Sequence, residues 1–132
     1  MKKLMPVILG VVVLAGVALG YMYFTGGEEA EVFEYYSPGD FFVTNVKDSN
    51  SLFKSSVVLV LNTDDEKVLE ELGKMNSIIR DTIIFVLRDQ SADTLKSTVL
   101  HETLRETIKE KINERLSVTY IIDVLFNDYV IQ

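Results

Sequence analysis

The stretch "LMPVILGVVVLAGVALGYMYF", Leu4 to Phe24, contains no charged residue. Wound as a helix it covers about 32 Å, close to a hydrocarbon core of about 30 Å. Pro6 falls in the first turn, where a missing N–H costs little. Tyr21, Tyr23 and Phe24 cluster at the far end, as an interfacial aromatic belt does. Lys2 and Lys3 precede the span, and Glu28, Glu29 and Glu31 follow it. The positive-inside rule then places the N-terminus in the cytoplasm and the remainder outside. Ala18-Leu19-Gly20 offers a small-residue cleavage site after a shorter apolar core, which would release a secreted product. The apolar run continues past it to Phe24, which favours an uncleaved signal anchor. Gly16 and Gly20 have the spacing for close helix packing in lipid, but glycine is common in membrane helices and the pair needs no special role.

Composition removes several function classes. The chain has no cysteine, so disulfides, a thiolate nucleophile, Cys-containing zinc sites and lipoprotein acylation are all excluded. A single histidine, His101, excludes any site that needs two imidazoles. The net charge of -7 includes Lys2 and Lys3, so the portion after the span is more acidic than the whole. Such a surface repels phosphate backbones, and no nucleic-acid partner is expected.

Residues 1–24 read as a cytoplasmic N-terminus and transmembrane helix, 25–40 as an acidic linker, and 41–132 as an extracytoplasmic domain. In the linker, Gly26-Gly27 is flexible and Pro38-Gly39 makes a turn, while Phe33, Tyr35 and Tyr36 suggest an edge strand. Phe41–Val46 and Val57–Leu61 read as strands of a hairpin joined through the turn residues Asp48-Ser49-Asn50-Ser51. Thr63 and Glu66 have capping-box spacing ahead of a helix marked by Val68, Leu69, Leu72, Met75, Ile79, Ile83 and Val86, with a break near Asn76. Asp89–Asp93 reads as a loop. Leu100, Leu104, Ile108, Ile112 and Leu116 step by four and predict one buried stripe on a charged helix. In "VTYIIDVLFNDYVIQ", Val118, Tyr120, Ile122, Val124 and Phe126 alternate as a strand that must pair with the sheet or with another chain. The fold class is α+β: an N-terminal β-hairpin, central helices and a C-terminal strand behind a transmembrane helix.

No motif for nucleophilic, metal-assisted or nucleotide chemistry is present. His101 sits among charged residues at a helix start, where a solvated surface role is expected. Asp64-Asp65-Glu66 lacks the spacing and turn glycine of a calcium loop and suits a helix start instead. Thr44 and Asn45 lie mid-strand with a turn-side hydrogen bond as their simplest role. Asn113 is expected to face solvent. No catalytic, cofactor-binding or metal-ligating residue is named, and no cofactor is expected. Residues alone thus describe a membrane-tethered α+β domain suited to structure or interaction.

The assembled order resembles a known family. A lysine-led span, an acidic linker, "FFVTNV", "VVLVLN", "IIRDTIIFVL", "IKEKINERL" and "VTYIIDVLFNDYVIQ" together are similar to FliL, the flagellar basal-body-associated protein. The most specific pieces are Arg80-Asp81-x-Ile83-Ile84 with Leu87, Ile112-Asn113 with Leu116, and Phe126-x-Asp128-Tyr129-Val130-Ile131-Gln132. Ser97-Thr98-Val99-Leu100-His101 departs from it, lacking the glycine that the family carries where its last helix begins. The resemblance implies a non-enzymatic motor accessory protein in the bacterial inner membrane at the basal body. It implies a stomatin-like (SPFH) outer domain, a homo-oligomeric ring, and association with a MotA/MotB-type stator in support of torque and motility. The other class that fits the residues is a membrane-anchored extracytoplasmic sensor or adaptor unrelated to the motor.

Overall fold

The computed structural model describes residues 4–26 and 30–132. Lys2, Lys3, Glu28 and Glu29, which carry part of the orientation argument, lie outside the described residues. The chain divides into two compact units, with the boundary between Glu31 and Val32.

The first unit is one helix, α1 (Met5–Thr25). It is long and apolar enough to cross a membrane. Proline stands in its first turn, and the Gly26 N–H donates to the Met22 carbonyl at 3.0 Å to close the last turn.

The second unit runs from β1 (Glu34–Tyr36) and β2 (Phe42–Asn45) through β3 (Leu52–Leu61), α2 (Glu66–Lys74), α3 (Asn76–Arg88), α4 (Ala92–Lys96) and α5 (Thr98–Leu116) to β4 (Ile121–Ile131). All strand pairs are antiparallel. β3 is the spine. β4 pairs along almost its whole length, while β1 and β2 follow one another along its other edge. The aromatic stretch of the acidic segment thus does form an edge strand, with Tyr36 opposite Leu59. β2 and β3 make a hairpin, but β2 pairs with Leu52–Ser55 rather than with the expected Val57–Leu61, which pairs with β1 and β4 instead, and Asp48 takes the left-handed conformation in the turn (φ 56°).

One face of the sheet is the core. Phe42, Phe53, Val57, Leu59, Leu61, Ile121 and Val124 are buried there against Ile79, Ile83 and Leu87 of α3 and Leu104, Ile108 and Ile112 of α5. Helices cover that face because their stripes of apolar side chains can reach it while their charged faces stay in water.

Other expectations about the elements change. The N-cap of α2 is Asp65, whose carboxylate accepts from the Lys67 N–H at 3.0 Å. Thr63 instead accepts from the Asp65 N–H, so the Thr63–Glu66 capping box does not form. The segment read as the loop Asp89–Asp93 already enters α4 at Ala92, capped by Ser91. The stripe of α5 is buried only at its centre, and Leu100 is 41% exposed. A strict four-residue step rotates about 40° per step on a helix of 3.6 residues per turn, so Leu100 stands about 80° round from Ile108. The alternation in β4 breaks at two register shifts, which leave Ile122 and Asn127 without partners on β3. The first shift moves Ile121, rather than Ile122, into the core.

Ser97 caps α5, its hydroxyl accepting from the Leu100 N–H at 3.2 Å.

Candidate functional site

Polar side chains in the second unit hold its elements together. On α3, the Arg80 guanidinium donates to the carbonyls of Pro38 (3.1 Å) and Phe41 (3.2 Å) and lies 4.3 Å from the Phe42 ring centroid. Asn76 donates to the same Pro38 carbonyl and accepts from the Tyr36 hydroxyl. On α5, Arg105 donates to the Val124 carbonyl (2.5 Å) and pairs with Asp123 (2.7 Å). Asn113, expected to face solvent, is half-buried and donates to the Ile121 carbonyl at 2.8 Å. Each of these groups acts as a fastener of backbone, in the β1–β2 connection or along β4, rather than as a reagent.

His101 is not simply solvated. Its ring packs half-buried against Phe126 and Tyr129, at centroid distances of 5.2 and 5.3 Å. The Tyr129 hydroxyl donates to the Leu95 carbonyl at 2.5 Å, and burial pushes its pKa up to about 12. Burial also raises Tyr36 and Tyr120, the latter with help from the Glu71 carboxylate. Thr44 is buried with its hydroxyl unpartnered, Asn45 is exposed, and the two do not form a polar site. Asp65 of the acidic Asp64–Glu66 run is a cap. Among the described residues, no group of three or more His, Asp or Glu side chains could hold a metal ion.

Two surfaces of the second unit, among the described residues, stand open. The first is the sheet face away from the helices. Strand register places Tyr35, Val43, Lys54, Val58, Leu125 and Val130 on it. Tyr35 is 60% and Val43 58% exposed, and the Lys54 ammonium sits 4.1 Å over the exposed Phe41 ring. A solvated face of an antiparallel sheet is ordinarily polar, so this apolar content is informative.

The second is an open groove of about 550 Å³ between α3 and α5. Val86 and Thr82 form its floor, Phe85 and Asp89 one wall, Lys111 and Arg115 the other. Arg115 pairs with Asp81 at 2.6 Å and also donates to Thr82. Phe85 is 60% exposed, with the Arg88 guanidinium 5.9 Å from its ring centroid. Neither Phe85 nor Arg80 stood out in the sequence as a functional position. Phe85 had a signal, since it lies about 200° round α3 from Ile83 and so off the core stripe. Arg80 had only its place in the family-like run, because the turn it clamps lies far away in sequence.

No curated protein matches the chain. The family described as flagellar basal body-associated protein FliL matches residues 35–132, almost the whole second unit. That family is one of flagellar accessory proteins, not of enzymes. The polar fasteners, the unused apolar surfaces and this match agree, and the chain belongs to the FliL family of the flagellar basal body.

Proposed function

We propose that the protein supports motility by gathering into a homo-oligomeric ring beside the motor that contacts the MotA/MotB-type stator. In this reading α1 is retained in the inner membrane with its N-terminus in the cytoplasm. The acidic residues between α1 and Val32 are a tether, and the second unit works outside the membrane as a stomatin-like (SPFH) collar. The observation that carries the reading is the apolar sheet face around Val43, Val58, Leu125 and Val130, which the domain's own helices leave open. A folded domain keeps such a face where a protein partner covers it. Contacts between unlike surfaces on successive copies close into a ring when the rotation completes a turn. A collar that binds one state of the stator more tightly than another shifts the stator toward that state.

The test is the mass of the full chain in mild detergent, with and without Val43→Glu and Val130→Glu. Both side chains are exposed, so folding should survive, while the oligomer should dissociate and swimming in viscous medium should weaken. A wild-type monomer, or intact motility in a dissociated variant, would sink the proposal.

A further inference from the structure

The α3–α5 groove is a cavity whose chemistry the ring reading does not use. Its acids are already engaged: Asp81 with Arg115, and Asp89 with Lys47 at 3.1 Å. Lys111 has no ion-pair partner among the described residues, and Arg88 rests near the Phe85 ring. A chain with net charge -7 therefore carries, at this groove, an uncompensated cation beside an exposed aromatic ring over an apolar floor. From Asp81 to Asp89 the α3 wall runs about 12 Å, the length of two helical turns. The groove lies between α3 and α5 and opens to solvent.

We propose that this groove seats a two-turn amphipathic helical segment of another protein. Two apolar side chains spaced i, i+4 would straddle Phe85, and a carboxylate would meet Lys111. Charge complementarity decides the occupant. An acid-bearing helix is drawn to the unpaired Lys111 beside this apolar floor, whereas a basic one meets a groove whose two acids are already engaged. Anchors at i and i+4 follow from the way an amphipathic helix lays one face into a groove. The inference rests on the reading that the domain works by contact. It goes beyond that reading in naming a separate site and the chemistry of its partner.

The test uses the full chain in motile cells, with Thr107, on the α5 wall, replaced by the photo-crosslinking amino acid p-benzoylphenylalanine. The crosslinked peptide is then identified by mass spectrometry. The expected product is a helical segment of a different protein carrying an acid and apolar residues at i, i+4. Phe85→Ala and Lys111→Glu should each lower its yield about tenfold, the loss typical of an anchor residue. Replacing the partner's acid by lysine should lower the yield against wild type and restore it against Lys111→Glu, which no folding defect can mimic. Crosslinks to a second copy of this chain, to lipid, to a segment without an acid, or to nothing would overturn the proposal. So would a yield indifferent to Lys111→Glu. The Val43→Glu and Val130→Glu variants separate the two readings: they should break the ring and leave this crosslink in place.

Discussion

Arg80 of α3 donates through Nη1 to the carbonyl of Pro38 at 3.1 Å, and this bond ties the connection between β1 and β2 to the helical layer. The approach is so close that a Cβ on Gly39 would lie 2.1 Å from the same Nη1. Gly39 also has φ +144°, a conformation that L side chains rarely adopt. The turn and the arginine are thus one device.

Arg80→Ala should destabilise the domain by about 1–3 kcal/mol, because it removes charge-assisted bonds and leaves the Pro38 carbonyl with Asn76 as its remaining partner. Gly39→Ala should destabilise as well, through backbone strain and by displacing Arg80. The two losses should not add. With Arg80 already alanine, the new methyl group has room, so the cost of Gly39→Ala should shrink to its backbone share. Urea unfolding of the four members of the cycle measures the coupling, and strict additivity would show that the glycine and the arginine act separately.

Arg105 should prove to be a guard of the sheet edge. Its side chain and that of Asn113 occupy the carbonyls of Val124 and Ile121 on the side of β4 away from β3. Unpaired edge carbonyls invite another strand. Arg105→Met keeps the aliphatic packing and removes the donors. It should cost about 1–3 kcal/mol and raise concentration-dependent aggregation, followed by light scattering during thermal unfolding. Unchanged stability and scattering would deny Arg105 this role.

The α5 stripe divides sharply between its centre and its ends. Ile108 is fully buried, whereas Leu100 is largely exposed. Ile108→Ala should cost about 2–5 kcal/mol as a cavity forms. Leu100→Ala should stay within about 0.5 kcal/mol. Comparable losses at both positions would mean that the whole stripe is core.

Much of this was legible from local patterns. Apolar periodicity located α1, the core faces of α3 and α5, and the β2–β3 hairpin, because burial imposes those periods directly on the sequence. The family-like run Arg80-Asp81-x-Ile83-Ile84 was legible as a signature but not as a mechanism. Ile83 is core, Arg80 clamps Pro38, and Asp81 pairs with Arg115, three tasks set by residues far away in the chain. Asn113, between Ile112 and Glu114, and His101, among charged residues at a helix start, were read as solvent-facing. Their surroundings come instead from β4, which no local window contains. The bulges at Ile122 and Asn127 were equally hidden, since the register belongs to the pairing with β3. The groove's composition was present in the sequence, but its existence depends on how α3 and α5 lie side by side.

Tyr129 should set the alkaline limit of the fold more than any other tyrosine. Its hydroxyl is held neutral by burial and donates to the Leu95 carbonyl, which ionisation would leave facing a phenolate. Its pKa is pushed from 10.0 in the unfolded chain up to about 12 in the fold. A pKa raised by folding means that the fold favours the protonated form. Its contribution is therefore complete below pH 10 and drains away as the pH rises toward about 12. Tyr36 and Tyr120, also raised, add smaller losses in the same direction. Tyr129→Phe should cost about 0.5–1.5 kcal/mol at neutral pH, where the lost hydrogen bond is the whole effect. The mutant should then close on wild type as pH rises from 10 to 12, because only the wild type gives up this proton. Urea midpoints of both proteins between pH 8 and 12 measure the difference. A gap that stays constant across that range would show that Tyr129 does not titrate with unfolding.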